Sequence, residues 1–243
     1  WESGNTSDIA ARLRVPAAAT ATLDFAGSAA SSVTFASPLA VGTAANITKR
    51  GTGTLVFSVA NPALTSQLTV SDGRLRATHA GSMGTAAVTV RDTGILSVEA
   101  VATNNITVLS GGVLGGAGSV GQVGVSGSGI VSPGNGIGAL AMSQLTLGAG
   151  SVLRWQVHDT RNAIGVGYDT INLSGALDLQ TATQANRIRL EIISVSTLGT
   201  DTPGNAGFFV RGTGQSFRLA FAQGGVNWNL GSSANVADLF DIN

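Results

Sequence analysis

Six segments between residues 68 and 179 share one form: two apolar residues with one residue between them, then a glycine, then a further apolar position. They run from Leu68 to Leu75, Val88 to Leu96, Ile106 to Leu114, Val123 to Val131, Leu145 to Leu153 and Ile171 to Leu177. The second residue of each apolar pair falls at 70, 90, 108, 125, 147 and 173, a loose repeat of about 20 residues. A unit of that length holds two or three short strands and cannot bury its own inward face, so it must stack on neighbours of the same kind. The expected fold is all-β: a parallel β-helix, or β-solenoid. Leu68 and Val70 then point into the coil, and Thr69, Thr89, Thr107 and Thr146 point out.

Sharp corners must separate the strands. The stretch from Gly111 to Ser151 shows them most clearly, with short alternating pairs such as Val123 and Val125 each followed by glycine. The expected corner residues are Gly73, Gly94, Gly112, Gly129, Gly150 and Gly175, together with Pro133, Gly134 and Asn135. In Ser132-Pro-Gly-Asn135 the proline fixes φ and the glycine is free to take positive φ, the requirements of a type II turn.

Weaker pairs (Leu13 with Val15, Leu23 with Phe25, Val33 with Phe35, Leu39 with Val41, Leu55 with Phe57) extend the coil to the N-terminal side, giving a β-helix over residues 1–180. Ten to twelve rungs of about 4.8 Å would make it about 50 Å long. After residue 180 the alternating runs lengthen: Arg187 to Ile192, Phe208 to Val210, Phe217 to Phe221 and Val226 to Leu230. Gln223-Gly-Gly225 between two of them reads as a hairpin loop, so residues 181–232 are expected to form a partly antiparallel C-terminal cap. The tail, 233–243, hints at helix with Ser233 as N-cap.

Composition removes several partners. Charged residues are 11% of the 243, the formal net charge is zero and Lys49 is the sole lysine, so no basic face is expected for nucleic acid. No stretch approaches the roughly 20 apolar residues of a membrane helix, and no signal peptide opens the chain, so membrane insertion by this chain is not expected. Cysteine is absent, and a stacked sheet needs no disulfide staple.

Lys49-Arg-Gly-Thr-Gly-Thr-Leu-Val-Phe57, followed by Asn61 and by Gly73-Arg-Leu75, resembles the autotransporter-associated β-strand repeat. The stretch from Gly111 to Leu147 is similar to the segment that follows such repeats in autotransporter passenger domains. It has Leu-Gly-Gly at 114–116, Ser-Pro-Gly-Asn at 132–135 and Ile137-Gly138, with Gly136 where serine is usual. The resemblance covers about two thirds of the chain. It implies a right-handed β-helix at a bacterial outer surface or outside the cell, a structural or adhesive module, and no catalytic residues. The membrane barrel usual in that family has no counterpart here, so export by this chain alone is not expected.

Parallel β-helices can also carry polysaccharide lyases and hydrolases, whose sites cluster carboxylates on neighbouring rungs. Here glutamate occurs only as Glu2, Glu99 and Glu191. The densest polar group, His158, Asp159 and Arg161 with Tyr168 and Asp169, occupies the longest corner of the clear repeats and is the one candidate ligand loop. A solvated loop with Asp169 at the start of the next strand is the plainer reading. Surface glycans are a candidate ligand, with Trp1 and Tyr168 as aromatic platforms, whereas Trp155 and Trp228 lie in strand patterns. Glycines 115–118 lack the aspartate of a calcium β-roll and the Gly-Lys-Ser/Thr of a phosphate loop, and two histidines without cysteine do not make a zinc site. No cofactor is expected.

A solenoid exposes unpaired strand edges at its ends. Leu13 and Val15 at one end, and Val236, Leu239 and Phe240 at the other, are candidate joining residues for a flanking domain or for head-to-tail self-assembly into a filament.

Overall fold

The computed structural model describes residues 1–2, 4–198, 202–208, 214–228 and 235–243. The chain winds through nine turns, each ending on the same side of the coil. The first turn holds β1 (Arg14–Val15), β2 (Thr20–Asp24) and β3 (Ser32–Phe35), and the second β4 (Ala40–Val41), β5 (Asn46–Arg50) and β6 (Thr54–Phe57). Long strands β7 (Gln67–Ala77) and β8 (Ala87–Val98) each bend across two faces. The fifth turn carries β9 (Ile106–Val108) and β10 (Val113–Gly116), the sixth β11 (Ser119–Val125) and β12 (Ile130–Pro133), and the seventh β13 (Ala139–Leu147) and β14 (Val152–Val157). The eighth has β15 (Thr170–Leu173), β16 (Leu177–Asp178) and β17 (Ile188–Ser194), and the last β18 (Ala220–Ala222), β19 (Val226–Asn227) and β20 (Phe240–Ile242).

Every paired ladder among these strands is parallel, and the register is continuous. On one face Ala21, Ile47, Leu68, Val88, Ile106, Val123, Leu145, Leu177 and Val226 lie one above another. On a second, Val33, Leu55, Leu75, Leu96, Leu114, Val131, Leu153, Leu190 and Ile242 do the same. All but Ala21, Leu177, Val226 and Ile242 in these columns are buried, each buried member contributing about 1.5–3 kcal/mol through its removal from water. A third, shorter face carries Ser119–Val120, Ala139–Met142, Thr170–Leu173 and Ala220–Ala222. This is a parallel β-helix. Nine rungs at about 4.8 Å span about 38 Å, shorter than the repeat implies, because long stretches of sequence separate β14 from β15 and β17 from β18.

The outward positions keep register too. Thr22, Thr48, Thr69, Thr89 and Thr107 stack, followed by Gly124 and Thr146, and this side is called the threonine face below. The second face, with Arg74, Arg76, Arg154 and Arg189 among its strand residues, is called the arginine face.

Corners are made in two ways. Gly73, Gly134 and Gly150 have φ of +58, +82 and +76°, conformations that favour glycine, and Gly134 fits the type II turn. Gly94, Gly112, Gly129 and Gly175 do not have positive φ; a Cβ on each would instead stand 2.2–2.7 Å from a carbonyl oxygen of the rung beneath. Close stacking of backbone, rather than turn geometry, demands those four. Asn135 is exposed and Pro133 ends β12.

Lys49 occupies an inward column, in register with Leu23 and Val70, and is fully buried. Its ammonium donates to the carbonyls of Gly51 (2.5 Å), Gly53 (2.6 Å) and Asp72 (2.8 Å) and lies 5.5 Å from the Phe25 ring centroid. Three N–H donors meet three corner carbonyls, of which that of Gly53 also accepts from Arg74 N. Asn61 acts similarly at another corner, accepting from Leu39 N and donating to Ser82 O.

Four expectations are corrected. The described residues of 181–232 do not form an antiparallel layer: β17, β18 and β19 continue the parallel stack, and the antiparallel contacts among those residues are the isolated bridges Thr183–Asn186 and Val195–Pro203. Gln223-Gly-Gly225 is the corner between β18 and β19, which pair with β15 and β16 and not with each other. The proposed joining residues belong to the core. Val15 and Leu239 are buried, and Leu13, Val236 and Phe240 pack against the core. At the first rung the chain's own start gives cover, the Trp1 ring stacking on Phe25 at 4.4 Å. Finally, the tail forms a 3-10 turn, Val236–Leu239, capped by Asn235; Ser233, like Val210 and Leu230, lies outside the described residues.

Candidate functional site

The loop that leaves β14 and returns to β15 brings together the five residues singled out by sequence, but gives them separate tasks. Asp169 precedes β15 and is fully buried. Its two carboxylate oxygens accept from Gly138 N and Gln156 N, both at 2.8 Å, and its carbonyl accepts from Trp155 Nε1 at 2.6 Å. A buried carboxylate requires such donors, and here two of them are backbone amides, one just before β13 and one within β14. Tyr168 is half-buried in a cluster with Trp155 (5.7 Å) and Phe217 (5.1 Å), so it is not an open platform. Trp1 is likewise engaged, whereas Trp228, expected within a strand, is exposed along with Phe208 and Phe221.

His158 directs Nδ1 to the Val195 carbonyl at 3.0 Å, which makes Nδ1 the protonated nitrogen when the ring is neutral. Asp159 accepts from Arg161 N, and the Arg161 guanidinium covers the Phe208 ring. Thr160, Arg161, Phe208, Gln215, Ser216 and Phe217 border an open groove of about 460 Å³. The groove excludes both His158 and Asp169. The pair needed for acid–base work is therefore split between a loop carbonyl and the interior.

A second polar group, missed by sequence reasoning, lies on the arginine face. The Arg76 guanidinium meets the Glu99 carboxylate through two 2.8 Å bonds. This contact, outweighing desolvation, holds Glu99 below and Arg76 above its ordinary pKa. Asn135 joins them from the sixth turn: its Nδ2 donates to Glu99 Oε1 at 2.9 Å, and its Oδ1 accepts from Ser97 Oγ at 2.8 Å and Arg74 Nη1 at 3.1 Å. Further along, Arg154 and Arg189 share Glu191 at 3.0 and 3.4 Å.

The Ser132–Asn135 turn reaches this network by folding back over β10. Gly116 and Gly134 exchange amide hydrogen bonds, and a Cβ on Gly115 would come within 2.8 Å of the Ser132 carbonyl. Leu-Gly-Gly and Ser-Pro-Gly-Asn are thus two halves of one contact. Between them and the arginines is a recess of about 80 Å³ bordered by Arg74, Arg154, Ser132, Gly115, Val113 and Asn135, among others. The signal for this group was register: Arg76, Ser97, Gly115 and Ser132 stand in one outward column, which becomes visible only when rungs are aligned residue by residue.

Among the described residues no group of three or more histidine, cysteine, aspartate or glutamate side chains is arranged to hold a metal ion. No protein-family model matches the chain, and a search of curated proteins finds no match either.

Proposed function

We propose that this chain is a non-enzymatic structural and adhesive β-helix module, outside the cell or on a bacterial outer surface, which holds side chains at fixed spacing for contact with surface glycans or with neighbouring domains. The observation that carries this reading is the use made of the buried ionisable groups. Lys49 donates to three corner carbonyls and Asp169 accepts from two backbone amides, so both tie successive rungs together. The outward faces, in contrast, repeat in register over many rungs, as a display surface requires. The resemblance of the Lys49–Leu75 and Gly111–Leu147 stretches to autotransporter passenger sequence supports the surface setting.

The rival is a polysaccharide-active enzyme built on the His158 loop. Incubation with a panel of neutral and acidic polysaccharides, followed by assays for new reducing ends and for unsaturated products, separates the two. No turnover is expected. Turnover that disappears in His158→Ala, with the melting temperature unchanged, would establish the enzyme instead.

A further inference from the structure

The arginine face carries more positive than negative charge between the third and eighth turns. Arg74, Arg76, Arg154 and Arg189 stand against Glu99 and Glu191, and Arg76 is neutralised by its two-bond pairing with Glu99. Arg154 commits Nε to Glu191, which it shares with Arg189. Arg74 has no ion pair among the described residues, and its one side-chain bond goes to a neutral acceptor, Asn135 Oδ1. A guanidinium has five N–H donors in a planar fork suited to an oxyanion, so Arg74 is left with most of that capacity unused.

The recess beside it fits that capacity. Its volume of about 80 Å³ is several times the roughly 10–15 Å³ that one water requires. Arg74 and Arg154 border it, Ile95 and Val113 give it apolar wall, and Ser132 supplies a hydroxyl for which no partner is found among the described residues. Gly115 neighbours Ser132 in the stack and, having no side chain, lets the Ser132–Asn135 turn close over it, which places Ser132 at the edge of the recess that Arg154 also borders. Apolar walls beside two guanidinium groups strengthen the field that an entering anion meets.

We propose that this recess binds one oxyanion group, a carboxylate or a sulfate, carried on an acidic polysaccharide. The assignment rests on the adhesive reading above for its carrier and adds the ligand class. Nucleic acid is disfavoured because a phosphate backbone calls for a long row of unpaired cations, whereas two arginines border this recess and the others, Arg76 and Arg189, are paired with Glu99 and Glu191.

The test measures binding of sodium sulfate by calorimetry at constant ionic strength, and retention on immobilised heparin, alginate and neutral dextran, for the wild type, Arg74→Gln and Ser132→Ala. Ser132→Ala leaves the Asn135 network intact and so separates loss of the site from loss of local structure. Expected are sulfate binding weakened about tenfold in Arg74→Gln and severalfold in Ser132→Ala, retention on one or both acidic polymers, and none on dextran. Heparin retained over alginate assigns sulfate, and the reverse assigns carboxylate. Equal sulfate binding by all three proteins, retention on dextran, sulfate binding without polymer retention, or retention of single-stranded DNA equal to that of heparin would each overturn the proposal. Because no polymer need be cleaved, failure here leaves the turnover experiment to decide the adhesive reading separately.

Discussion

Gly116 and Gly134, on the fifth and sixth turns, donate to each other's carbonyl at 2.8 Å in both directions. This reciprocal pair locks the Ser132–Asn135 turn against the preceding rung and delivers Asn135 to Arg74 and Ser97. Gly116 has φ of +105° and a Cβ there would stand 2.0 Å from the Val98 carbonyl. Gly116→Ala should therefore cost about 3 kcal/mol in urea unfolding, through left-handed strain and displaced backbone together. A loss below about 1 kcal/mol would mean that the turn is not locked by this contact.

Gly124 is the opposite case. It interrupts the threonine ladder between Thr107 and Thr146, its Cβ position is open, and its φ is not positive. Gly124→Thr should raise stability by about 0.5–1 kcal/mol, by removing chain entropy from the unfolded state and adding cross-strand contact. Urea unfolding with the midpoint unchanged or lowered would show that this face tolerates no further hydroxyl.

Lys49 makes stability depend on alkaline pH in a direction opposite to most proteins. Burial lowers its pKa from 10.5 to about 8, against the weaker opposing pull of Asp72 and Asp24. The folded chain then holds fewer protons than the unfolded one between about pH 8 and 10.5, so stability should rise with pH across that window, by an amount on the order of 3 kcal/mol. Below about pH 8 the cost of enclosing the cation is fully present. Lys49→Met should be destabilised at neutral pH, with three carbonyls deprived of the ammonium donor, and should lose the rise. Urea midpoints at pH 7.5, 9 and 10 for both proteins would reveal it; parallel pH trends in the two would refute the assignment to Lys49.

Asp169→Ala should behave as a folding mutation. Removing the carboxylate leaves the amides of Gly138 and Gln156 without this acceptor in the interior, at a cost of about 3 kcal/mol. Asp169→Asn, which keeps one carbonyl acceptor, should recover part of it. Thermal melts rank the three proteins, and an Asp169→Ala melting temperature equal to wild type would mean that the two bonds contribute little.

The parallel coil, the outward threonines and the buried aliphatic columns were legible in the sequence because alternation and glycine spacing record them directly. Other features were not. Nothing local distinguishes Gly94, which must admit the Val70 carbonyl, from Gly73, which needs positive φ. The last two turns read as a cap because β18 and β19 are separated by a hairpin-like sequence, and only the register shows that each pairs with the strand one turn earlier. Arg74 and Asn135 are 61 positions apart, a separation that no sequence window spans. Asp169 was visible as a candidate, yet its burial was not, since a lone acid before a strand looks the same whether it faces solvent or backbone.

The three edges of the coil differ in how much chain they hold. Where the third face meets the threonine face, the breaks between strands are short, as at 42–45, 174–176 and 223–225, and β11 and β13 cross that edge without interruption. Of the two edges bordering the arginine face, one carries 158–169 and the described residues between β17 and β18, and the other carries 179–187 and the described residues between β19 and β20. Length variation among descendants of such a gene would therefore accumulate around one face and spare the opposite ridge. The same asymmetry suits grafting: a foreign epitope spliced near residue 183 would project from the wall without changing the pitch, whereas one extra residue after Ala141 would reverse the inside and outside of the strand that follows.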